Sequence, residues 1–219
     1  MKPRFTPASL FLLLVSFVVL LCAAAPSWSM EMRIEGNQLI LSGGITELDY
    51  VKFTQQLTPT VRQIVLTDSP GGSVSSALDI ADDIRRKGLS TTIRGYCRSA
   101  CALIFLGGVQ RRLADSKSHV DFHALYTYNY SSPTQRPSTA RYGKIASFLS
   151  DMTGGKLSDA PIETILRKQR GGFVYFFRDR TFNCNGDEPK RPSGCPKLPQ
   201  TALEMGIITS LDNVGGTDQ

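Results

Sequence analysis

The sequence of 219 residues predicts an α/β fold with crossover connections between its strands. Short apolar runs, typical of buried strands, alternate along the chain with segments whose apolar residues recur at helical spacing. Turns that contain Gly and Pro separate the two kinds of segment. Repeated strand, turn and helix units of this kind indicate an α/β domain.

The first elements after the N-terminal segment are a hairpin and a helix. Met32–Glu35 and Gln38–Ser42 alternate in character around a Gly-Asn turn, which predicts two paired strands. Thr46 and Asp49 resemble a capping box that opens a helix, and Pro59 ends this helix.

A strand, turn and helix unit follows. The apolar run Gln63–Thr67 predicts a short buried strand, and Asp68–Gly72 contains the Pro and Gly residues of a turn. In the segment Ser73–Lys87, Ala and Ile residues recur at helical spacing with Asp and Arg opposite them. Gly88 is at the position that commonly follows the end of a helix, so the segment predicts a helix.

The same unit then repeats. Thr91–Arg94 predicts a strand, Gly95–Arg98 a turn, and Ser99–Leu106 an apolar and therefore buried helix. Arg111–Ala114 and Val120–His123 are interpreted as further strands.

The last third of the chain has weaker signals. Thr127–Ser138 is predicted to be a polar loop, which serves as a lid or a tether. Thr139–Met152 and Asp159–Gln169 have the pattern of amphipathic helices. Residues 171–200 are expected to be irregular, and Thr201–Thr209 to close the fold.

The N-terminus has the pattern of an export signal. Lys2 and Arg4 precede an almost entirely apolar run, Leu10–Cys22, and three alanines follow. The run is shorter than the ~20 residues of a comfortable membrane span, so it indicates a cleaved signal peptide, with an uncleaved anchor as the alternative. We expect residues 1–30 to be the signal and the protein to be periplasmic or secreted.

Residues 31–219 fit one domain with a sizeable core. The chain has 25 basic and 19 acidic residues, and removal of Lys2 and Arg4 lowers its net charge from +6 to +4. This mild excess favours solubility, and no motif indicates a nucleic acid partner. We expect no membrane span after the signal is cleaved, because no other segment is long and apolar enough.

Four cysteines remain without Cys22, and an even number in an oxidising compartment indicates two disulfides. Four thiols allow three pairings. The sequence groups Cys97 with Cys101 and Cys184 with Cys195, and we favour these local pairs.

A zinc site is the rival interpretation of Cys97 and Cys101. Together with His119 and His123 they have a superficial zinc-finger spacing. The intervening apolar segment Ala102–Leu106 is better suited to a core helix, and we expect no metal and no cofactor.

Three segments carry residues suited to acyl transfer at a serine, which requires a hydroxyl, a base and backbone donors for an oxyanion. Ser99 is at a predicted turn-to-helix junction, where the amide of Ala100 is free to donate. Gly71 and Gly72 open the preceding helix, and Gly72 is a second candidate donor. His123 ends a short strand, which is a rigid mounting for a base.

These motifs together resemble the ClpP protease family of the ClpP/crotonase superfamily. The turn Ser69–Gly72, then Ser99-Ala100, then Val120–His123 occur in the family's order, with 28 positions from Gly71 to Ser99 and 24 from Ser99 to His123. The resemblance covers residues 61–126 and, more loosely, Ala202–Ile208.

The resemblance implies a crotonase/ClpP-like ββα superhelix with C-terminal helices. It implies Ser99 as nucleophile, His123 as base, and an oxyanion hole at Gly71, Gly72 and Ala100. It also implies peptide or protein substrates and a homo-oligomer.

The sequence departs from the family at two places. Lys168 occupies the position of the family's orienting aspartate, and a lysine cannot accept the imidazole N–H. Asp179 and Asp151 are the substitutes, with Asp179 better placed in chain order, and a Ser/His dyad is the remaining possibility. A Cys97–Cys101 disulfide would pin the turn that presents Ser99, or would be a structural staple beside an inert serine.

The functional hypothesis is an exported serine hydrolase, a peptidase that acts without ATP on peptides or unfolded chains. ATP independence is expected because the periplasm offers no ATP for an unfoldase partner. The alternative is a catalytically inactive crotonase-like binding or structural protein of the cell envelope.

Overall fold

The computed structural model describes residues 29–123, 126–128, 135–137, 142–167, 173–184 and 194–212. Its main feature is a nine-stranded mixed sheet. The strands of this sheet are β1 (Glu31–Glu35), β2 (Gln38–Ile45), β3 (Gln63–Gly72), β4 (Ser90–Arg98), β5 (Arg111–Leu113), β6 (His119–His123), β9 (Phe173–Phe176), β10 (Thr181–Cys184) and β11 (Lys197–Leu198). A separate sheet pairs β7 (Tyr126–Tyr128) with β8 (Gln135–Pro137).

Five helices belong to the described part of the chain. They are α1 (Asp49–Gln56), α2 (Val74–Arg86), α3 (Ala100–Gly107), α4 (Tyr142–Met152) and α5 (Asp159–Arg167). The core lies between these helices and the sheet, with fully buried side chains that include Phe53, Phe105 and Phe176. None of these helices combines the length and the apolar character that a bilayer crossing requires.

The parallel part of the sheet positions the residues of interest. β2, β3, β4 and β6 are neighbours in this order and run parallel, whereas β1 and β9 pair antiparallel at either side. The carboxyl ends of β3, β4 and β6 therefore lie side by side at one edge. These ends carry Gly72, Arg98 and His123.

Helices α2 and α3 follow β3 and β4 and agree with the sequence prediction. The Ser73 hydroxyl caps α2 by accepting a hydrogen bond from the Ser76 N–H. The buried face of α2 includes Ala77, Ile80 and Ala81. All residues of α3 are buried, and a Cβ on Gly107 would lie 2.6 Å from the Ala81 carbonyl oxygen. Glycine at this position therefore lets α2 and α3 pack closely.

The sheet is larger than the sequence indicates. β3 continues through Gly72 and β4 through Arg98, although both segments have the composition of turns. The continuation of β3 is irregular, with a register shift between Thr67 and Ser69 and a positive φ at Asp68. Residues 173–184 form β9 and β10, so the prediction of an irregular segment there is wrong. β9 pairs antiparallel with β6, which lies about 50 residues earlier in the chain.

Candidate active site

Ser99 occupies a sharp turn between β4 and α3. Its backbone angles are φ +56° and ψ −122°. Among the described residues other than glycine, only Ser99 and Asp68 have a positive φ. Such a backbone costs about 1–3 kcal/mol and persists only where the surroundings impose it. A serine on a strained strand-to-helix turn has an exposed hydroxyl, as in nucleophile elbows.

The Ser99 turn is fixed by contacts on both sides. The Ser99 N–H donates to the Asp121 carbonyl at 3.0 Å, and the Ala102 N–H donates to the Ser99 carbonyl at 3.0 Å. A disulfide joins Cys97, in β4, to Cys101, in the first turn of α3, with a Cα–Cα distance of 5.3 Å. Both cysteines are fully buried. The structure thus contains the pairing favoured from the sequence, and this pair brackets Ser99.

The second predicted pair, Cys184 with Cys195, is also joined. It ties the end of β10 to the segment that leads into β11. The thiols that the zinc alternative requires are therefore held in disulfides.

Gly71 packs directly against the Ser99 turn. A Cβ on Gly71 would lie 2.6 Å from the Arg98 carbonyl oxygen and 2.8 Å from the Ser99 Cβ, and its φ is +91°. Its N–H donates to the Ser69 hydroxyl at 3.3 Å, and that hydroxyl donates to the Gly43 carbonyl at 2.7 Å. Gly71 therefore contributes close packing, and its own amide is engaged within the loop.

The amide of Gly72 faces the Ser99 side of β3. The next residue, Ser73, donates its N–H to Ile45 of β2 at 2.8 Å. Because successive strand amides point to opposite sides, the Gly72 N–H is directed away from β2. A Cβ on Gly72 would overlap the carbonyl oxygen of Ile45, so no larger residue fits this position.

His123 is brought to the same place by β6. Arg98 pairs with Asp121 across β4 and β6, so Ser99 and His123 follow at the ends of adjacent parallel strands. Both residues line one small pocket. The His123 ring packs edge-on against Phe173 with ring centroids 5.5 Å apart.

The hydroxyl and the imidazole are not hydrogen-bonded in this conformation. No hydrogen bond to the Ser99 Oγ exists within the described residues, which include His123. Catalytic hydrogen bonds often tighten only when substrate is bound, so a nucleophile and base that are not hydrogen-bonded in the free protein are consistent with proton transfer.

A buried ion pair ties the two strand ends together, and sequence analysis missed it. The Arg98 Nε lies 2.8 Å from an oxygen of Asp121, whose side chain is 0% exposed. The Arg98 guanidinium also stacks over Phe173 at 5.1 Å. Asp121 was the available signal, because a carboxylate between apolar residues of a buried strand requires a cationic partner.

His119 begins β6, and its side chain is 21% exposed. Its ring packs against Tyr175 and Phe177, with centroids 5.8 and 4.9 Å away. Its Nε2 lies 3.8 Å from the second oxygen of Asp121. The two histidines of β6 therefore have different surroundings at its two ends.

The candidate orienting acids do not accompany His123. Asp179 lies in the turn after β9, and its side chain is 67% exposed and ion-paired with Arg180 at 2.9 Å. β9 begins opposite His123 and ends opposite Val120, so Asp179 is beyond the far end of this strand pair. Asp151 is at the end of α4 and lines a different cavity. Lys168 lies outside the described residues.

Comparison with solved structures identifies the fold. A serine-to-alanine mutant of the membrane-bound stomatin-specific protease 1510-N is similar with a TM-score of 0.53 and 14% identity, over 77% of this chain and 75% of that one. An asparagine-to-aspartate mutant of ClpP1 from Listeria monocytogenes is similar with a TM-score of 0.52 and 15% identity, over 80% of this chain and 90% of that one.

A lysine-to-alanine mutant of 1510-N in complex with a substrate peptide is also similar. Its TM-score is 0.50 and its identity 17%, over 77% of this chain and 71% of that one. No protein-family model matches the chain, and no curated protein sequence matches it. At these identities the likeness establishes a ClpP-like fold, as the sequence motifs predicted.

Proposed function

We propose that this protein is an exported serine peptidase that acts on peptides or unfolded chains without ATP. The observation that carries the proposal is the strained Ser99 turn, which shares one pocket with His123 in a ClpP-like fold. A bystander serine gains nothing from a positive φ, whereas a nucleophile needs its hydroxyl exposed at the end of a strand.

In this mechanism His123 accepts the proton of the Ser99 hydroxyl while Oγ attacks the substrate carbonyl carbon. The oxyanion that forms is held by the N–H groups of Gly72 and Ala100. Each such donor is typically worth about 3–4 kcal/mol in the transition state. His123 then returns the proton to the leaving amine, and water hydrolyses the acyl-enzyme by the same steps.

Neither Asp179 nor Asp151 supplies the third residue of a triad, so the proposed mechanism uses only Ser99 and His123. The orienting residue of a triad assists the imidazole but does not perform the chemistry, so a dyad retains activity at a reduced rate. Phe173 packs on the ring of His123 and limits its rotation.

The pocket that Ser99 and His123 share has a volume of only about 20 Å³, and its lining is apolar. Besides the two catalytic candidates its lining is mainly aliphatic and aromatic, with contributions from α2, α3, β6, α4 and α5: Val74, Leu103, Phe122, Ile145 and Leu166. A substrate side chain enters only if this lining moves apart, and the opened pocket would favour an apolar side chain, because a charged one would lose its hydration without a partner.

Export rests on the sequence alone, through the basic and apolar N-terminal pattern of residues 1–30. The two disulfides support it, because such bonds persist in oxidising compartments and are rare in the cytosol. The homo-oligomer likewise remains a proposal from the resemblance.

A fluorophosphonate probe tests the proposal, because it reacts with activated serine nucleophiles. We expect the purified protein to be labelled and Ser99→Ala to abolish the label. Ser90→Ala, at the opposite end of β4, is the matched control and should label normally. Absence of label on folded wild-type protein contradicts the peptidase proposal.

A binding protein is the second candidate, and it is favoured by the Ser99 hydroxyl, which forms no hydrogen bond with His123 in this conformation. In that case unfolded polypeptide binds at the Ser99 pocket but is not cleaved. This candidate is supported if the folded protein does not react with the fluorophosphonate probe but binds a fluorescent peptide with an apolar side chain, as measured by fluorescence anisotropy.

A further inference from the structure

A second cavity lies at the opposite end of helices α2 and α3 from Ser99. It has a volume of about 330 Å³ and is bounded by the ends of α2 and α4, by β5 and by the C-terminal segment 203–209. α3 has 8 residues, so its two ends are separated by about 12 Å. The cavity is therefore distinct from the candidate active site.

Arg111 forms the buried floor of this cavity. Its side chain is 4% exposed and donates to three carbonyl oxygens, of Gly108 at 2.7 Å, Gly206 at 2.8 Å and Ile207 at 3.0 Å. Burial, together with the positive charge of Arg85, lowers the pKa of Arg111 to about 10. The site thus holds a buried cation whose hydrogen bonds go to neutral carbonyl groups.

Arg85 is the second cation. Its Nη2 donates to the Leu106 carbonyl at 2.9 Å and to the Met152 carbonyl at 3.4 Å, and its Nε contacts the Met152 sulfur at 3.3 Å. Burial lowers the pKa of Arg85. Within the described chain Nη1 of Arg85 has no hydrogen-bond partner, so two N–H donors remain for a ligand.

Neither arginine is paired with a carboxylate in the described part of the chain. The ion pairs in the described ranges include neither Arg85 nor Arg111. Lys156 and Asp151 also line the cavity, and Asp151 is ion-paired with no cation among the same residues. Three cations and one anion leave a net charge of +2. Buried charges are normally paired, because an isolated charge away from water is costly.

We propose that this cavity binds a small anion with two negative charges, a dicarboxylate or a phosphate monoester, through Arg85, Arg111 and Lys156. The guanidinium groups match the oxygens of a carboxylate or phosphate. The volume is at the lower end of the range for small-molecule sites, which excludes a large ligand.

The test uses the purified full chain at pH 7.5, with inorganic phosphate or succinate as the probe dianion and acetate or chloride at equal ionic strength. We expect saturable heat in titration calorimetry with phosphate or succinate. The Tm should rise by about 3–5 °C at ten times the Kd. Acetate and chloride should do neither. A response to phosphate alone identifies a phosphate ester, and a response to succinate alone a dicarboxylate.

Four variants make the result specific. Arg85→Gln should weaken binding about tenfold and Lys156→Gln about threefold, whereas Asp151→Asn should strengthen it because a like charge is removed. Arg86→Gln is the control, since Arg86 follows Arg85 on α2 but pairs with Asp83 outside the cavity.

The proposal is wrong if neither dianion shows saturable binding. It is also wrong if Arg86→Gln weakens binding as much as Arg85→Gln does. If Arg85→Gln does not fold, the exposed Lys156→Gln decides, and unchanged binding by that variant overturns the proposal. Anion binding does not require Ser99, so this test can succeed or fail independently of the peptidase proposal.

Discussion

Helices α2 and α3 begin at the turns that form the candidate active site and end at the cavity of Arg85 and Arg111. At the first end the important groups are backbone N–H groups, held by positive-φ residues, a disulfide and an ion pair. At the second end they are backbone carbonyls, which accept from long arginine side chains.

Helix polarity explains this difference. The N-terminal end of a helix carries unpaired N–H groups and favours negative charge, and the C-terminal end carries unpaired carbonyls and favours cations. An oxyanion can therefore form at the first end without any charged side chain. At the second end the cations must be supplied by the sequence. Changes of backbone geometry should consequently be most damaging at the active-site end.

The largest contrast is expected between the two histidines of β6. His123→Ala should lower the rate of fluorophosphonate labelling about 10³-fold, because a positioned base typically contributes 10²–10⁴-fold. His119→Phe, at the other end of the strand, keeps the aromatic packing and should change the rate less than about threefold. Stopped-time labelling on folded protein measures both. Equal rates for wild type and His123→Ala would show that His123 is not the base.

Gly71 and Gly88 both have a positive φ, but only Gly71 lies at the active-site end. Gly71→Ala places a methyl group against the Arg98 carbonyl and the Ser99 side chain, whereas Gly88→Ala, at the far end of α2, meets open space. We expect Gly71→Ala to slow labelling about 10²-fold and to lower the free energy of unfolding by about 2–4 kcal/mol.

Gly88→Ala has a φ of +65° and should cost about 1 kcal/mol without any change in labelling. Urea unfolding gives the stabilities. A normal labelling rate in Gly71→Ala would show that close packing of β3 against the Ser99 turn is not required.

The two disulfides should separate activity from stability. Removal of Cys97–Cys101 by a double alanine change frees a loop of sequence separation 4, which costs about 2 kcal/mol on loop entropy. Removal of Cys184–Cys195, with separation 11, should cost about 3 kcal/mol. We nevertheless expect only the first change to slow labelling, by about tenfold, because only that bond brackets Ser99.

Labelling rates and urea unfolding of the two double variants decide this prediction. Equal labelling rates would assign both bonds a purely structural role.

The same contrast explains what the sequence could predict. The helix of α2 follows from local spacing, and Ser99 and His123 follow from motifs in a known order. β9 was missed although Phe173–Phe176 consists of aromatic and β-branched residues typical of strands, because the segment was interpreted from its Gly, Pro and Cys residues. The position of Asp179 could not be predicted, because it depends on the antiparallel pairing of β9 with β6, which is distant in sequence.

The Arg98–Asp121 ion pair was missed for a related reason. Asp121 indicates that a cation must lie near it, but only the parallel register of β4 with β6 shows that this cation is Arg98. Arg98, which precedes the candidate nucleophile, is thus held by a partner that the sequence around Arg98 does not indicate.

The smallest expected effect concerns acid stability of the loop beside β2. Burial raises the pKa of Asp49, but hydrogen bonds from the Thr46 N–H at 2.6 Å and from the Thr46 hydroxyl, with further contacts to Lys52 and Met30, outweigh it. The pKa of Asp49 therefore lies below its usual value. This stabilisation is complete above the usual pKa of about 3.9 and is lost as the pH falls through the lower folded-state pKa.

Asp49→Asn should therefore lower the free energy of unfolding by about 1–2 kcal/mol at pH 7, and the difference should shrink below pH ~4. Asp151→Asn, at the arginine cavity, should show no such loss at pH 7, because Asp151 has no ion-pair partner among the described residues. Urea unfolding from pH 3 to 7 measures both. A constant difference between wild type and Asp49→Asn across that range would show that the carboxylate charge does not anchor this loop.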